Sequence, residues 1–322
     1  MKKLLILIML FPSFVFAYSK YILVGGDTLG IEVNSKGVVV VGFYEVNGEY
    51  INKDLKVGDR IVEVNNEEIN TATELIDMID KYIVNDSVSI SYYRGTERRE
   101  DELNLKMSNG IYKTGLYVKA SILGIGTLTY VDPGTKIYGV LGHGLNMSQT
   151  NKKIEVRTGY TYEADVTSFT RSIDGNPGSK NANINKDEVF GTIEENTEYG
   201  IFGKVNEVTD GMLLEVGSLE DIKMGEAYIY TTNVDDEVVM YKINIIEVDK
   251  KDDSKNIYFE IEDRALEKMS GGIVQGMSGS PIVQEDKIIG AVTRVLVEDV
   301  SKGYGISIVT MLETGDAINR EK

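Results

Sequence analysis

Gly276-Met277-Ser278-Gly279-Ser280-Pro281 decides how this chain is read, because the chain holds one histidine, His143, with which that serine could work. Gly276 lets the backbone take a conformation that a side chain would block. The amides of Gly276 and Ser278 can then converge on one spot, an oxyanion hole for a tetrahedral intermediate. Gly279 keeps the space beside the serine open. A serine is a weak nucleophile at neutral pH and needs a base, most often histidine. His143 sits in Gly142-His143-Gly144, a loop setting that presents a functional side chain. Strand-like hydrophobic runs flank both sites, which argues against an ordinary turn and an idle surface histidine.

The 322 residues can hold two domains of ordinary size. Hydrophobic residues at 42% and charged residues at 26% describe a globular chain. The 33 glycines and the lack of Trp suit a β-rich protein with many tight turns. With 34 basic and 51 acidic residues the net charge is −17, a field that repels nucleic acid and anionic lipid. No nucleic-acid partner is expected. The absence of Cys excludes disulfides and thiolate metal sites, and neither a metal nor another cofactor is expected. At the N-terminus Lys2 and Lys3 precede an apolar run from Leu4 to Ala17, and Val15-Phe16-Ala17 suits signal-peptidase cleavage. Residues 1–17 are therefore expected to be a signal peptide. Pro12 interrupts the run, which is shorter than the roughly 20 residues that span a bilayer. Tyr21-Ile22-Leu23-Val24 resumes the apolar character, so an uncleaved N-terminal membrane tether is the alternative. Either way the body is expected to be exported.

Residues 21–107 read as one small α+β domain. Gly37-Val38-Val39-Val40-Val41-Gly42 is a strand between glycines, and Gly58-Asp59 turns into a second strand at Ile61, Val62 and Val64. Leu75, Met78 and Ile79 lie at helical spacing, with Thr71 or Thr73 as the cap. Ser87 to Arg94 alternates as a strand should. The stretch Leu55-Lys56-Val57-Gly58-Asp59-Arg60-Ile61-Val62-Glu63-Val64-Asn65 resembles a PDZ domain. The resemblance implies that Thr28, Leu29, Gly30 and Ile31 form a carboxylate-binding loop, whose amides would accept a peptide that adds as a strand.

Beyond a short junction the chain is dense in β-type runs: 124–131, 137–141, 227–232, 238–246 and 257–261. Helices are scarce, which suits a barrel or a sandwich. Asp249 to Lys255 reads as a solvated hairpin loop. A third catalytic residue should be a carboxylate that orients the imidazole. From the residues alone Asp132, Asp165, Asp174, Asp187 and Asp263 all remain open.

Residues 115–314, within a domain placed at 112–318, resemble the stage IV sporulation protein B peptidase family. The resemblance rests on Gly124-Ile125-Gly126-Thr127, Gly139-Val140-Leu141-Gly142-His143, the run from Gly271 to Ile282, Ile289 to Thr293, and Gly303-Tyr304-Gly305-Ile306. It implies a mainly β chain, with a chymotrypsin-like β-barrel serine peptidase domain preceded by the PDZ domain. By the same likeness His143 is the base, Ser278 the nucleophile, Gly276 and Ser278 the oxyanion hole, and Asp263 the acid. The family likeness implies cleavage of the protein itself and of a membrane-associated sporulation regulator, in the space between forespore and mother cell. That cleavage would trigger intramembrane proteolysis and activate a late sigma factor. The alternatives are a catalytically silent PDZ scaffold and a general envelope-quality protease. Met277 stands where many zymogens carry an Asp, so activation by an ion pair there is not available. Tyr304 to Ile308 either runs along the substrate backbone or is a plain barrel strand.

Overall fold

The computed structural model describes residues 18–148, 150 and 152–320. The expected signal peptide, residues 1–17, lies outside the described residues. No helix among the described residues is long and apolar enough to cross a membrane.

Alternating apolar residues build two closed antiparallel barrels. In the first, Thr28–Phe43 pairs with Leu116–Val131, then Ile137–Val140, Ile201–Val205, Ser179–Asn196 and Val156–Thr170, which returns to Thr28–Phe43. Its core includes Leu29, Ile31, Val33, Leu128, Tyr138 and Val140. In the second, Gly225–Thr232 pairs with Val238–Val248, Ile257–Ile261, Asp299–Ser307, Lys287–Leu296 and Pro281–Gln284, which closes on Gly225–Thr232. Ile229, Ile243, Phe259, Met277, Ile282 and Val292 fill it. The C-terminal helix α3 (Ile308–Arg320) buries Ile308, Met311 and Leu312 against Tyr130 and Phe202 of the first barrel and Ile288 of the second. Closure of each hydrogen-bonded ring leaves it without an edge strand, which is how barrels avoid unpaired backbone. Asp249 to Lys255 is the loop of the Val238–Val248/Ile257–Ile261 hairpin, as its charge indicated.

The PDZ core is separate: Val38, Val40, Ile61, Val64, Leu75, Ile79, Ile90 and Leu103 are buried together. Helix α1 (Ala72–Tyr82) is capped by Thr71, whose hydroxyl accepts from the Glu74 amide at 3.0 Å. The Glu74 carboxylate in turn accepts from the Asn70 amide at 2.6 Å. The Gly58-Asp59 turn is held by Arg94, which donates to both oxygens of the buried Asp59 at 2.8 and 2.6 Å.

The PDZ reading of Thr28 to Ile31 needs correction. These residues are the start of Thr28–Phe43, paired with Thr127, Gly126, Ile125 and Gly124 on one side. On the other side, Leu29, Gly30 and Ile31 pair with Glu163, Tyr162 and Thr161. With both neighbours in place the main chain offers no row of free amides to a peptide. Leu29 and Ile31 point into the first barrel. Gly30 is needed because a Cβ there would lie 2.4 Å from Ile184 Cγ2. The strand stays paired with the barrel through Ser35, shifts register against Leu116–Val131 before Val39, and joins the PDZ core through Val38 and Val40.

Tyr304 is likewise flanked on both sides, by Tyr258 and Arg294. Its strand is a plain barrel strand.

Candidate active site

The nucleophile turn follows the short helix α2 (Arg264–Ser270) and enters Pro281–Gln284. Gly276 and Gly279 have φ of +98° and +95°, a region that favours glycine. Space demands glycine as well. A Cβ on Gly279 would lie 2.0 Å from the Thr127 carbonyl oxygen and 2.5 Å from the Leu141 nitrogen. Bonds from the first barrel hold the turn. Thr127 Oγ1 donates to the Gly276 carbonyl and Thr129 Oγ1 to that of Gly279, both at 2.7 Å, while the Thr127 amide donates to the Ser278 carbonyl at 2.9 Å. Met277 is wholly buried in the second barrel's core, so apolar packing anchors the turn where an ion pair is absent. Among the described residues the Gly276 and Ser278 amides have no hydrogen-bond acceptor, whereas those of Met277, Gly279 and Ser280 are all taken. Two free donors therefore flank Ser278.

His143 follows the strand Ile137–Val140 through a strained turn. The Gly142 amide donates to the Val140 carbonyl at 3.0 Å across Leu141, whose φ is +74°. A γ-turn of this hand on a residue with a side chain is rare and costs on the order of 1–3 kcal/mol. The buried Leu141 side chain and the packing of Gly142 against Thr293, Val292 and Ile306 hold it in place. The next loop is braced by Asn196, which accepts from the Leu145 amide at 2.8 Å and donates to the Leu145 and Ile154 carbonyls, each at 2.9 Å.

His143 Nδ1 faces the Gly144 carbonyl at 2.9 Å. A carbonyl only accepts, so Nδ1 carries the hydrogen and Nε2 keeps its lone pair. Burial pushes the His143 pKa below the usual 6.5, and the nearby Arg294 adds to this against the Gly144 bond. The imidazole is thus held neutral with a basic nitrogen available. The Ser278 hydroxyl donates to the Thr293 carbonyl at 3.0 Å. Gly142, beside His143, and Ser278 both lie against Thr293, so the two loops adjoin. The His143 ring and the Ser278 hydroxyl are each bonded to a main-chain carbonyl rather than to one another.

Asp263 does not join them. It is the N-cap of α2, accepting from the Ala265 and Leu266 amides at 2.8 and 3.2 Å and from the Lys242 amide at 3.4 Å. The physical reason is that a helix start leaves amides without partners, and an Asp placed there satisfies them. The other open carboxylates are also elsewhere. Buried Asp132 holds Ser19 and the Gly134 and Thr135 amides, Asp174 accepts from the Val300 amide, and Asp187 is exposed. Asp165 lines a cavity with Asp27 and Asp236. The Gly144 carbonyl, which no side-chain motif announces, stands where a carboxylate was expected.

The PDZ core reaches the loop after His143. Arg60 forms an ion pair with Glu155 at 3.1 Å and donates to the Lys36 carbonyl at 2.9 Å. The Ile154 amide, next to Glu155, donates to the Leu145 carbonyl at 3.2 Å.

The SpoIVB peptidase S55 family model matches residues 110–312, well over half of the chain. The chain belongs to the SpoIVB peptidase S55 family. It is a serine endopeptidase. A PDZ domain model matches residues 28–105, ahead of the S55 peptidase region. Among solved structures the chain is similar to the PDZ domain of an SdrC-like protein from Listeria monocytogenes. That match has 27% identity and a TM-score of 0.23, and covers 27% of this chain and 90% of that one. The active form of the Rv3671c protease from M. tuberculosis matches at 15% identity and a TM-score of 0.35, over 61% of this chain and 74% of that one. The HtrA-type protease AlgW with decapeptide matches at 10% identity and a TM-score of 0.37, over 62% and 54%. Among curated proteins none matches the chain.

Proposed function

We propose that this S55 peptidase is an exported regulatory endopeptidase of sporulation that uses Ser278 as nucleophile and His143 as base. It cuts itself and a membrane-associated regulator, which sets off intramembrane proteolysis and late sigma-factor activation. The reading is carried by one observation: two acceptor-free amides, of Gly276 and Ser278, flank the Ser278 hydroxyl on a turn packed against the His143 loop. In the reaction the Ser278 hydroxyl leaves the Thr293 carbonyl, gives its proton to His143 Nε2, and its oxygen attacks the scissile carbonyl carbon. The two amides donate to the oxygen that becomes negative. His143 then returns the proton to the leaving amine as the C–N bond breaks. Water, deprotonated by the same nitrogen, then attacks the acyl carbon, and that proton returns to Ser278 Oγ as the ester bond breaks. The Gly144 carbonyl holds the imidazole in the tautomer that this sequence requires, in place of Asp263.

The sporulation setting, export and self-cleavage rest on family membership, the PDZ region ahead of the peptidase, and the N-terminal run from Lys2 to Ala17. The Arg60–Glu155 pair supports a PDZ influence on the His143 loop. The decisive experiment treats purified wild type and Ser278→Ala with a fluorophosphonate and follows self-fragmentation by gel. Wild type is expected to label and fragment, and Ser278→Ala to do neither. Equal fragmentation of the two would refute the assignment. A wild type that never labels would leave the silent scaffold as the better reading.

A further inference from the structure

Lys180 lies in Ser179–Asn196 and is only 2% exposed. Its surroundings reach three separate parts of the fold. Its Nζ donates at 2.9 Å to Thr28 Oγ1 of the first barrel and at 2.9 Å to Thr231 Oγ1 of the second. Its amide donates to the Gln275 carbonyl at 2.7 Å, and the Gln275 amide returns a bond to the Gly178 carbonyl at 2.9 Å. Its stem packs on the next residue of the nucleophile turn: a Cβ on Gly276 would lie 2.9 Å from the Lys180 Cβ. Gly276 carries one of the two acceptor-free amides beside Ser278.

A buried ammonium is a costly way to fill space. An apolar side chain of similar length would occupy the same volume without desolvating a charge. Packing alone does not explain this residue. What an apolar chain could not do is bridge a hydroxyl of each barrel while its own backbone fixes Gln275. We propose that Lys180 is a positioning residue of the peptidase, tying both barrels to the Gln275-Gly276 segment and so setting the direction of the Gly276 amide. It acts through that segment, since its Nζ is engaged by Thr28 and Thr231.

The charged groups facing Nζ are Asp27 and Asp236, and Glu163, Asp165 and Asp210 line the same cavity of about 350 Å³. Burial pulls the Lys180 pKa down to about 7, against the pull of Asp27 and Asp236, while burial pushes Asp27 up. The charged form of the tie is therefore the one that burial disfavours.

This inference rests on the serine-peptidase reading, and its test separates the two. Ser278 labelling by a fluorophosphonate is measured for wild type, Lys180→Met and Thr231→Val, as maximal rate and half-saturating concentration across pH. Lys180→Met is expected to stay folded, with the maximal rate down roughly 10- to 100-fold and half-saturation little changed, as a small misdirection of a donor implies. Its rate should also lack any pH-dependent step that wild type shows as Lys180 deprotonates. Thr231→Val removes one acceptor and keeps the charge, and is expected to slow labelling by a smaller factor. Should Lys180→Met fail to fold, Thr231→Val decides. Wild-type rate and pH profile in the folded Met variant, or in Thr231→Val when Met does not fold, would overturn the role of Lys180 alone. Absence of labelling in wild type would overturn the peptidase reading and this inference with it.

Discussion

Replacing Asp263 by Asn separates a helix cap from a catalytic acid, because the two roles respond to the change on different scales. As a cap, Asp263 Oδ1 accepts from the Ala265 and Leu266 amides. The carbonyl oxygen of Asn can take both bonds, and Asn and Asp rank together as N-caps. What is lost is the favourable charge at the helix start, about 0.3–1 kcal/mol. The weak contact from the Lys242 amide is lost too, since the new NH2 group cannot accept. The sum is on the order of 1 kcal/mol, or a melting point about 2–4 °C lower for a domain of this size. Activity should stay within about fivefold of wild type. As the acid of a triad, by contrast, Asp263 would orient the His143 tautomer, and its amide would cost about 10⁴-fold in kcat. That tautomer is set here by the Gly144 carbonyl. Thermal melting by circular dichroism and the rate of fluorophosphonate labelling, measured on the same sample, give both numbers. A loss of three or more orders in rate with an unchanged melting point would refute the cap and restore the triad.

Other outcomes follow from the same contacts. Because burial holds His143 below 6.5, the acid limb of the labelling rate should fall at a pH lower than that of a free histidine, and a limb at or above 6.5 would contradict the buried, neutral base. Gly30→Glu should unfold or strongly destabilise the first barrel rather than alter peptide capture, given the 2.4 Å approach of Ile184; a folded variant with normal melting would restore the binding-loop reading. Stability should also depend on Lys180. Its folded pKa is about 7 and its ordinary value 10.5, so between these the unfolded chain binds more protons and stability rises with pH. The rise is at most about 1.4 kcal/mol per unit. Urea titrations of wild type and Lys180→Met should differ in this slope, and equal slopes would show that Lys180 does not titrate in that window.

Much of this molecule could be read from residues close in the chain. The Gly-rich turn around Ser278 and the glycine-flanked His143 specify their own local geometry, since positive φ at Gly276, Gly279 and Gly142 excludes most side chains. Thr71 and the Leu75–Ile79 spacing set the PDZ helix in the same local way. Asp263 before Arg264-Ala265-Leu266-Glu267-Lys268 also carries a legible cap signal, in competition with the acid that the family likeness places there. Other assignments depended on partners far away in sequence. Leu29, Ile31 and Val33 alternate equally well for a PDZ strand and a barrel strand, and only pairing with 121–127 and 158–163 selects the barrel. Ser179-Lys180-Asn181 holds no apolar residue that would mark burial, yet closing the two barrels buries Lys180 against a threonine 152 residues away. Local pattern determines which conformations a segment tolerates, while burial and the bonds that satisfy a buried charge exist only once distant strands have met.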